Sequence, residues 1–345
     1  MNSANQSQNR PVLVIGDLHL KPSNLKIARR LFDFIESDDQ FAMVNHLVLL
    51  GDVYDTKAII RSEAQNFLFS YLSNTRFENV SIVVGNHDYE NLECQQSALD
   101  PLKYLKNVFV LNKQEVQYYT DYKLAFIPYI HDPKKFVDLV TSNSEKLKKS
   151  NYVFCHQGFQ GFDLGGGILD ESGVDISLLP PTNYIVGHYH KQQRNKSVVY
   201  TGTPFSHSFG EANQVKQILL LEGSSLKFID TNLPQHYKFK FDASTKDFDF
   251  QFGVFKKKIK SEDLIDVVVT CKKSDQNQYD KSFIEKAIGI SLENLKLRYS
   301  FTDSGSIIRI DEGMTTEKMF EKYLTIKQRP NLLAKGLEYL KNASV

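Results

Sequence analysis

The chain has 345 residues, of which 41% are apolar and 24% charged, with 42 lysines and arginines against 41 aspartates and glutamates. That is enough chain for one large or two ordinary domains with a real core. It excludes wholesale disorder and a uniformly basic nucleic-acid binder, so any polyanionic partner must meet a local patch.

Pro11 to Gly16 holds a β-branched run, Val12-Leu13-Val14-Ile15, that stops at Gly16-Asp17 and predicts a buried strand feeding a loop. His46 to Leu50 runs likewise into Gly51-Asp52, and Val80 to Val84 into Gly85-Asn86. Between them, Leu25 to Glu36 and Arg61 to Leu72 carry apolar residues at helical spacing, with Ser23 or Asn24 and Ser62 as N-caps. This β-α-β-α-β alternation predicts an α/β fold with a largely parallel, covered sheet. Ser97 to Leu105 reads as another helix, and Leu124 to Ile130, Tyr152 to Cys155, Tyr184 to Val186 and Val198 to Tyr200 as short strands. Gly161 to Gly173 reads as a Gly-rich loop at the rim. A hairpin, Gln217 to Leu221 and Leu226 to Asp230, closes a first domain spanning residues 1–232. Residues 233–311 read as a small α+β module, with strands at Tyr237 to Phe241, Phe248 to Phe252, Leu264 to Thr270 and Leu295 to Phe301 and a helix at Tyr279 to Ile288. Residues 312–345 read as two short amphipathic helices, Thr315 to Leu324 and Asn331 to Leu340.

Three widely spaced cysteines, Cys94, Cys155 and Cys271, suit a reducing cytoplasm. The polar segment Met1 to Arg10 lacks the apolar stretch of a signal peptide, and no apolar run approaches the roughly 18 residues of a membrane span. A cytoplasmic protein without membrane contact is expected.

In parallel sheets, ligands gather at the carboxyl ends of the strands. There this chain places Asp17-Leu18-His19, Gly51-Asp52-Val53-Tyr54-Asp55, Gly85-Asn86-His87-Asp88, Cys155-His156-Gln157 and Gly187-His188-Tyr189-His190. Imidazole, carboxylate and amide oxygen in this mixture suit two cations about 3.5 to 4 Å apart that share a carboxylate. His46, His131 and His236 have no motif partners and read as structural.

The order Asp-x-His, Gly-Asp-x-x-Asp, Gly-Asn-His-Asp, His, Gly-His-x-His resembles the calcineurin-like metallophosphoesterase superfamily over residues 12 to about 230. The resemblance implies a two-sheet sandwich flanked by helices. It places Asp17, His19 and His190 on one metal, Asn86, His156 and His188 on the other, and Asp52 between them. It gives His87 the scissile phosphate, where the ring would protonate the leaving oxygen or stabilise developing charge. Asp55 and Asp88 would hydrogen bond around the ligands. Mn²⁺ suits the donor mixture best, with Mg²⁺, Fe, Zn or Co as alternatives.

Asp55-Thr56-Lys57 and the closing Asp88 depart from serine/threonine phosphatases, which typically carry Asp-Arg-Gly and Gly-Asn-His-Glu there. Val199-Tyr200-Thr201-Gly202-Thr203-Pro204-Phe205, followed by Phe209-Gly210-Glu211, resembles the SbcD-type double-strand-break repair nucleases, with Asp55 on their bacterial and phage side. That resemblance implies a two-metal DNA exonuclease and endonuclease in a bacterial or phage-infected cell, with the α+β module as a cap and the C-terminal helical segment appended to the sandwich. Its partners would be an SbcC-type ABC ATPase, docked through residues 312–345, and a second copy in a homodimer. His207 and the run Lys256, Lys257 and Lys258 are the candidate DNA contacts. The alternative is a stand-alone phosphodiesterase or phosphomonoesterase acting on small nucleotides.

Overall fold

All four residues of the first strand, β1 (Val12–Ile15), are buried, as a strand covered on both faces requires. Its side chains alternate between two cores: Leu13 and Ile15 pack toward helices, Val12 and Val14 toward a second sheet. This computed structural model describes residues 11–57, 59–119, 123–248, 256 and 258–302, with residues 318, 320, 321, 324, 332, 333, 335 and 337. The chain divides into two compact units, Met1–Lys238 with Ile259–Ile265, and Phe239–Lys258 with Asp266–Val345.

The first unit is built on two six-stranded sheets. In one, β1, β2 (His46–Leu49), β3 (Asn79–Val83) and β4 (Val108–Leu111) run parallel, and β13 (Gln217–Glu222) and β14 (Ser225–Asp230) add antiparallel beyond β1. In the other, β6 (Leu124–Ile127), β7 (Tyr152–His156), β10 (Tyr184–Gly187) and β12 (Val198–Tyr200) run parallel. There β5 (Gln117–Tyr119) and β11 (Gln193–Asn195) form antiparallel edges. Phe126, Phe154, Ile185 and Val199 from the second sheet meet Val14, Val48 and Val83 from the first, making the inter-sheet core. The chain therefore adopts the expected two-sheet sandwich with helices outside.

Helix α1 (Leu25–Ser37) buries Ala28, Leu31, Phe32 and Ile35, the i, i+3, i+4, i+7 stripe that its spacing predicts. Helix α2 (Ser62–Asn74) buries Ala64, Leu68 and Leu72 beside it. Arg76 ties this layer together by donating to the carbonyls of Ile35, Phe41 and Val44 at 2.8–3.0 Å. On the far side, α3 (Pro133–Ser142) and α4 (Ser144–Leu147) place Phe136, Val140 and Leu147 against the second sheet.

Several expected elements differ. Ser97 to Leu105 is not an α-helix: only Asp100–Tyr104 coils, as a 3-10 turn with Pro101 in its first turn. Asn24 precedes α1 but makes no side-chain cap; its amide instead accepts from Lys21 N and donates to His19 O. Ser62 lies inside α2, and Arg61 is the N-cap. The Gly-rich stretch forms a small hairpin, β8 (Asp163–Gly165) and β9 (Ile168–Leu169).

The second unit is an α+β module. Its four-stranded sheet runs β16 (Asp247–Phe248), β15 (His236–Asp242), β17 (Leu264–Cys271), β18 (Asn294–Phe301). Helix α5 (Lys281–Ile288) starts at Asp280, whose carboxylate accepts from Phe283 N, and ends at Gly289 in the left-handed region. Phe241 packs against Tyr279 and Phe283 at ring separations of 5.3 and 5.1 Å, and Arg298 makes a two-pronged bond to Asp266. The predicted strand at Phe248 to Phe252 and the two helices at 312–345 fall almost wholly outside the described residues, as does Lys257. All three cysteines are buried and free. Among the described residues, no helix is long and apolar enough to cross a membrane.

Candidate metal centre

Each motif leaves the carboxyl end of a parallel strand, so β1, β2, β3, β7 and β10 deliver their polar residues to one edge of the sandwich. The backbone is bent sharply there. His19, Asp52 and His188 have φ of 42°, 47° and 102°, a region costly for residues with a Cβ and one that concentrates at functional sites. Gly51, at φ 89°, is needed on two counts, because a Cβ there would also lie 2.6 Å from His156 Nδ1.

Two groups of ligand-type side chains result. Asp17, His19 and His190 bring one donor atom each to within 4.8 Å of one another, and so do Asp52, His156 and His188. In the first group, His19 Nε2 and His190 Nε2 face each other at 3.1 Å. Asp17 is fully buried; its Oδ1 accepts from His188 N, while Oδ2 has no hydrogen-bond partner. In the second, Asn86 Oδ1 sits 3.0 Å from His156 Nε2 and 2.9 Å from His188 Nδ1, and His156 Nε2 is 3.4 Å from Asp52 Oδ1.

The outer ring nitrogens are spoken for. His156 Nδ1 donates to Leu50 O at 2.6 Å, and His190 Nδ1 pairs with Glu211 Oε1 at 2.8 Å. With Nδ1 so occupied, the inner Nε2 atoms of His156 and His190 face Asn86 Oδ1 and Asp52 Oδ1 on one side and His19 Nε2 on the other. A cation among these inward-facing nitrogens and oxygens would also satisfy the buried Asp17 Oδ2, which has no donor. The donor set therefore fits divalent metal ions at both groups.

The electrostatics have the same origin. Burial raises the Asp17 carboxyl and drives the His19 and His188 rings down to about 2 and about 3. Burial also opposes charge on His156 and Asp52. Each counters it for the other, so His156 is raised to about 9 and Asp52 held below the ordinary carboxylate range.

His87 projects from the same edge and lines the cleft over both groups, where its ring meets that of His19 edge-on at 4.9 Å. Its Nδ1 donates to Asp55 O at 2.8 Å, and its backbone N donates to Asp52 Oδ1. The Asp55 carboxylate pairs with Lys21 at 2.8 Å, so Asp55 steers His87 through its carbonyl. Asp88, fully buried, accepts from the backbone N of Val53, Tyr54 and Gly85 and so staples two motif loops together. Burial, and then Asp52, raise it to about 7.

His207 lines the cleft, with its Nε2 3.3 Å from Asp17 O and its ring 5.3 Å from that of His19. Lys256 and Lys258 are exposed in the second unit. Two partners escaped the motif reading. Glu211 accepts from His190, Thr203 and Lys216, and Lys216 is itself fully buried. Tyr129 sets its ring 6.1 Å from that of His188. Glu211 had a faint signal, since it ends the Phe209-Gly210-Glu211 stretch; Tyr129 had none.

Comparison with known proteins agrees with this geometry. The profile of the family described as calcineurin-like phosphoesterase matches residues 10–192. "Putative phosphoesterase 244L" of Invertebrate iridescent virus 6 is 28% identical over 221 residues, 62% of this chain and 76% of that protein. "Putative phosphoesterase 078R" of Invertebrate iridescent virus 3 is 26% identical over 245 residues, 68% of this chain and 69% of the relative. "Exonuclease subunit 1" of Enterobacteria phage T4 is 24% identical over 255 residues, 69% of this chain and 74% of the relative.

Proposed function

From the premise that the chain belongs to the calcineurin-like phosphoesterase family and is a hydrolase of phosphoesters, we propose that it is a two-metal DNA nuclease, the nuclease subunit of an SbcCD-like repair or recombination complex. The observation that carries the phosphodiesterase reading is the convergence of two three-residue ligand groups under a cleft that His87 also lines. Asp17, His19 and His190 would hold one ion and Asn86, His156 and His188 the other, with Asp52 shared; Mn²⁺ suits these donors. Ions held there would supply charge to neutralise the phosphate and lower the pKa of a bound water.

The remaining work falls to the chain. Leu50 O and Glu211 fix the tautomers of His156 and His190, keeping their inner nitrogens available to cations. The Asp55 carbonyl holds His87 Nδ1–H, which leaves Nε2 as the ring atom that carries a proton to the leaving oxygen or hydrogen bonds to the phosphate. The DNA reading is supported by the relative named as an exonuclease subunit, and the word subunit supports partners: an ABC ATPase, with residues 312–345 as its docking segment, and a second copy.

The test is hydrolysis of linear duplex DNA and of bis(p-nitrophenyl) phosphate by the full-length protein in Mn²⁺, with and without a co-purified ATPase and ATP. Degradation of both substrates, with DNA degradation raised by ATP, is expected. Turnover of the small diester alone would favour the stand-alone nucleotide phosphodiesterase.

A further inference from the structure

The cleft over the ligand groups has a volume of about 720 Å³, and Leu164, Gly165 and Gly166 of the β8–β9 hairpin line it together with His87, His188 and His190. This hairpin is an unusual object to find beside charged chemistry. Leu164, Ile168 and Leu169 are 53%, 66% and 56% exposed, three large aliphatic side chains within a few residues that bury little of themselves. Gly166 and Gly167 turn the hairpin at φ of 68° and 87°, the paired positive values of a tight primed turn that glycine adopts without cost. Asp163 Oδ1 accepts from the backbone N of Gly165 and Gly167, which fixes the tip.

The root is tied to the metal-site loop. Asp163 pairs with Lys191 at 2.7 Å and exchanges two hydrogen bonds with the Gln193 amide. Asp170, just past the hairpin, accepts from the Tyr189 hydroxyl. Tyr189 stands between His188 and His190, and Lys191 follows, so the hairpin's carboxylates grip residues flanking both histidines. Its apolar tip is thereby registered to the centre.

We propose that this hairpin tip, through Leu164 in the cleft wall, forms a nucleobase contact that seats an unpaired base of the strand whose phosphodiester enters the cleft. This rests on the phosphodiesterase reading above. The hairpin's charges are spent at its root, where Lys191 is paired with Asp163, and its tip offers only aliphatic surface. The apolar surface that a polynucleotide presents is the face of a base, and a base-paired stack hides it. A protein partner is disfavoured because Leu164 lines the reaction cleft itself, so a bound protein surface would close the path to His87.

The test compares kcat/KM on a single-stranded oligonucleotide, on the same oligonucleotide with abasic sites flanking the cleaved bond, and on bis(p-nitrophenyl) phosphate. It uses full-length protein in Mn²⁺, wild type and Leu164→Ser/Ile168→Ser/Leu169→Ser. Wild type should prefer the intact strand by roughly 10-fold or more, in keeping with covering one exposed aliphatic side chain. The triple variant should lose that preference and keep small-diester hydrolysis within about twofold, because exposed positions tolerate substitution. Equal use of intact and abasic strands by wild type, or an undiminished preference in the variant, overturns the inference. So does a matching loss on the small diester, or a change in solution mass with the base preference intact, which would assign the tip to self-association. Wild type that cleaves the small diester but neither strand removes this inference and leaves the phosphodiesterase reading standing; wild type that cleaves nothing removes both.

Discussion

Lys216 is a fully buried ammonium, and its nearest carboxylate, Glu211 at 2.7 Å, is the one that orients His190. Glu211 thus has two separable duties. Glu211→Gln should weaken Mn²⁺ binding by roughly 10- to 100-fold, the usual consequence of losing a partner behind a metal-ligating histidine. It should also lower the melting temperature by leaving the buried Lys216 ammonium without its counter-charge. Adding Lys216→Met should restore the melting temperature but not the affinity, as Mn²⁺ titration would show; joint recovery would contradict the division. His46 makes a second residue-scale case, away from the centre. It is buried, 2.9 Å from Ser81 Oγ, and burial lowers its imidazole to about 4 from an ordinary 6.5. The unfolded chain therefore binds the extra proton first as pH falls, so stability is full above about 6.5 and is lost on descent toward about 4. At about 1.4 kcal/mol per unit the loss is on the order of 3 kcal/mol. Denaturant midpoints of wild type and His46→Gln across pH 4–7 would measure it, with a flatter profile for the variant; parallel profiles would refute the assignment.

At the scale of elements, legibility followed physical cause. The strands ending at Ile15, Leu49 and Val83 are buried on both faces, so their apolar runs were unambiguous, and each motif begins two positions after its strand end. Helix α1 announced itself by its stripe. What sequence spacing missed was decided by distant partners: α3 and β4 went unread, and the 97–105 segment had helical composition but packs as a short coil after Asp100. The same holds in the site. Asp17, His19 and Asn86 were readable because they are local to motifs, whereas the Glu211–Lys216 pair depends on a fold that brings the segment after β12 onto His190. Loop contact is also where one methyl group should matter most. A Cβ on Gly85 would lie 2.2 Å from Asp52 N and 2.3 Å from Asp52 Oδ1, so the β2 and β3 loops must part to admit it. Gly85→Ala should lose metal content and hydrolysis while costing roughly 1–3 kcal/mol of stability. Metal analysis and far-ultraviolet dichroism together would check this, and normal metal content would contradict it.

Over the whole molecule, the first unit carries every residue assigned to the centre, and the second is an α+β module with its own core of Phe239, Phe241, Val267, Val269, Ile284 and Ile288. The fold class and the catalytic edge were legible because one sandwich organises both. The substrate was less so, since the motifs sit at strand ends and carry no reading of the rim surfaces around the cleft. In the proposed reaction, two ions and His87 are distinct parts of one machine. Mn²⁺ bound per chain at saturation in wild type, Asp52→Asn and His87→Asn, read beside small-diester turnover, separates the two parts. About two ions are expected in wild type and in His87→Asn, with turnover in the latter reduced roughly 10²- to 10⁴-fold, and fewer ions in Asp52→Asn. Depletion of His87→Asn to the level of Asp52→Asn would contradict it.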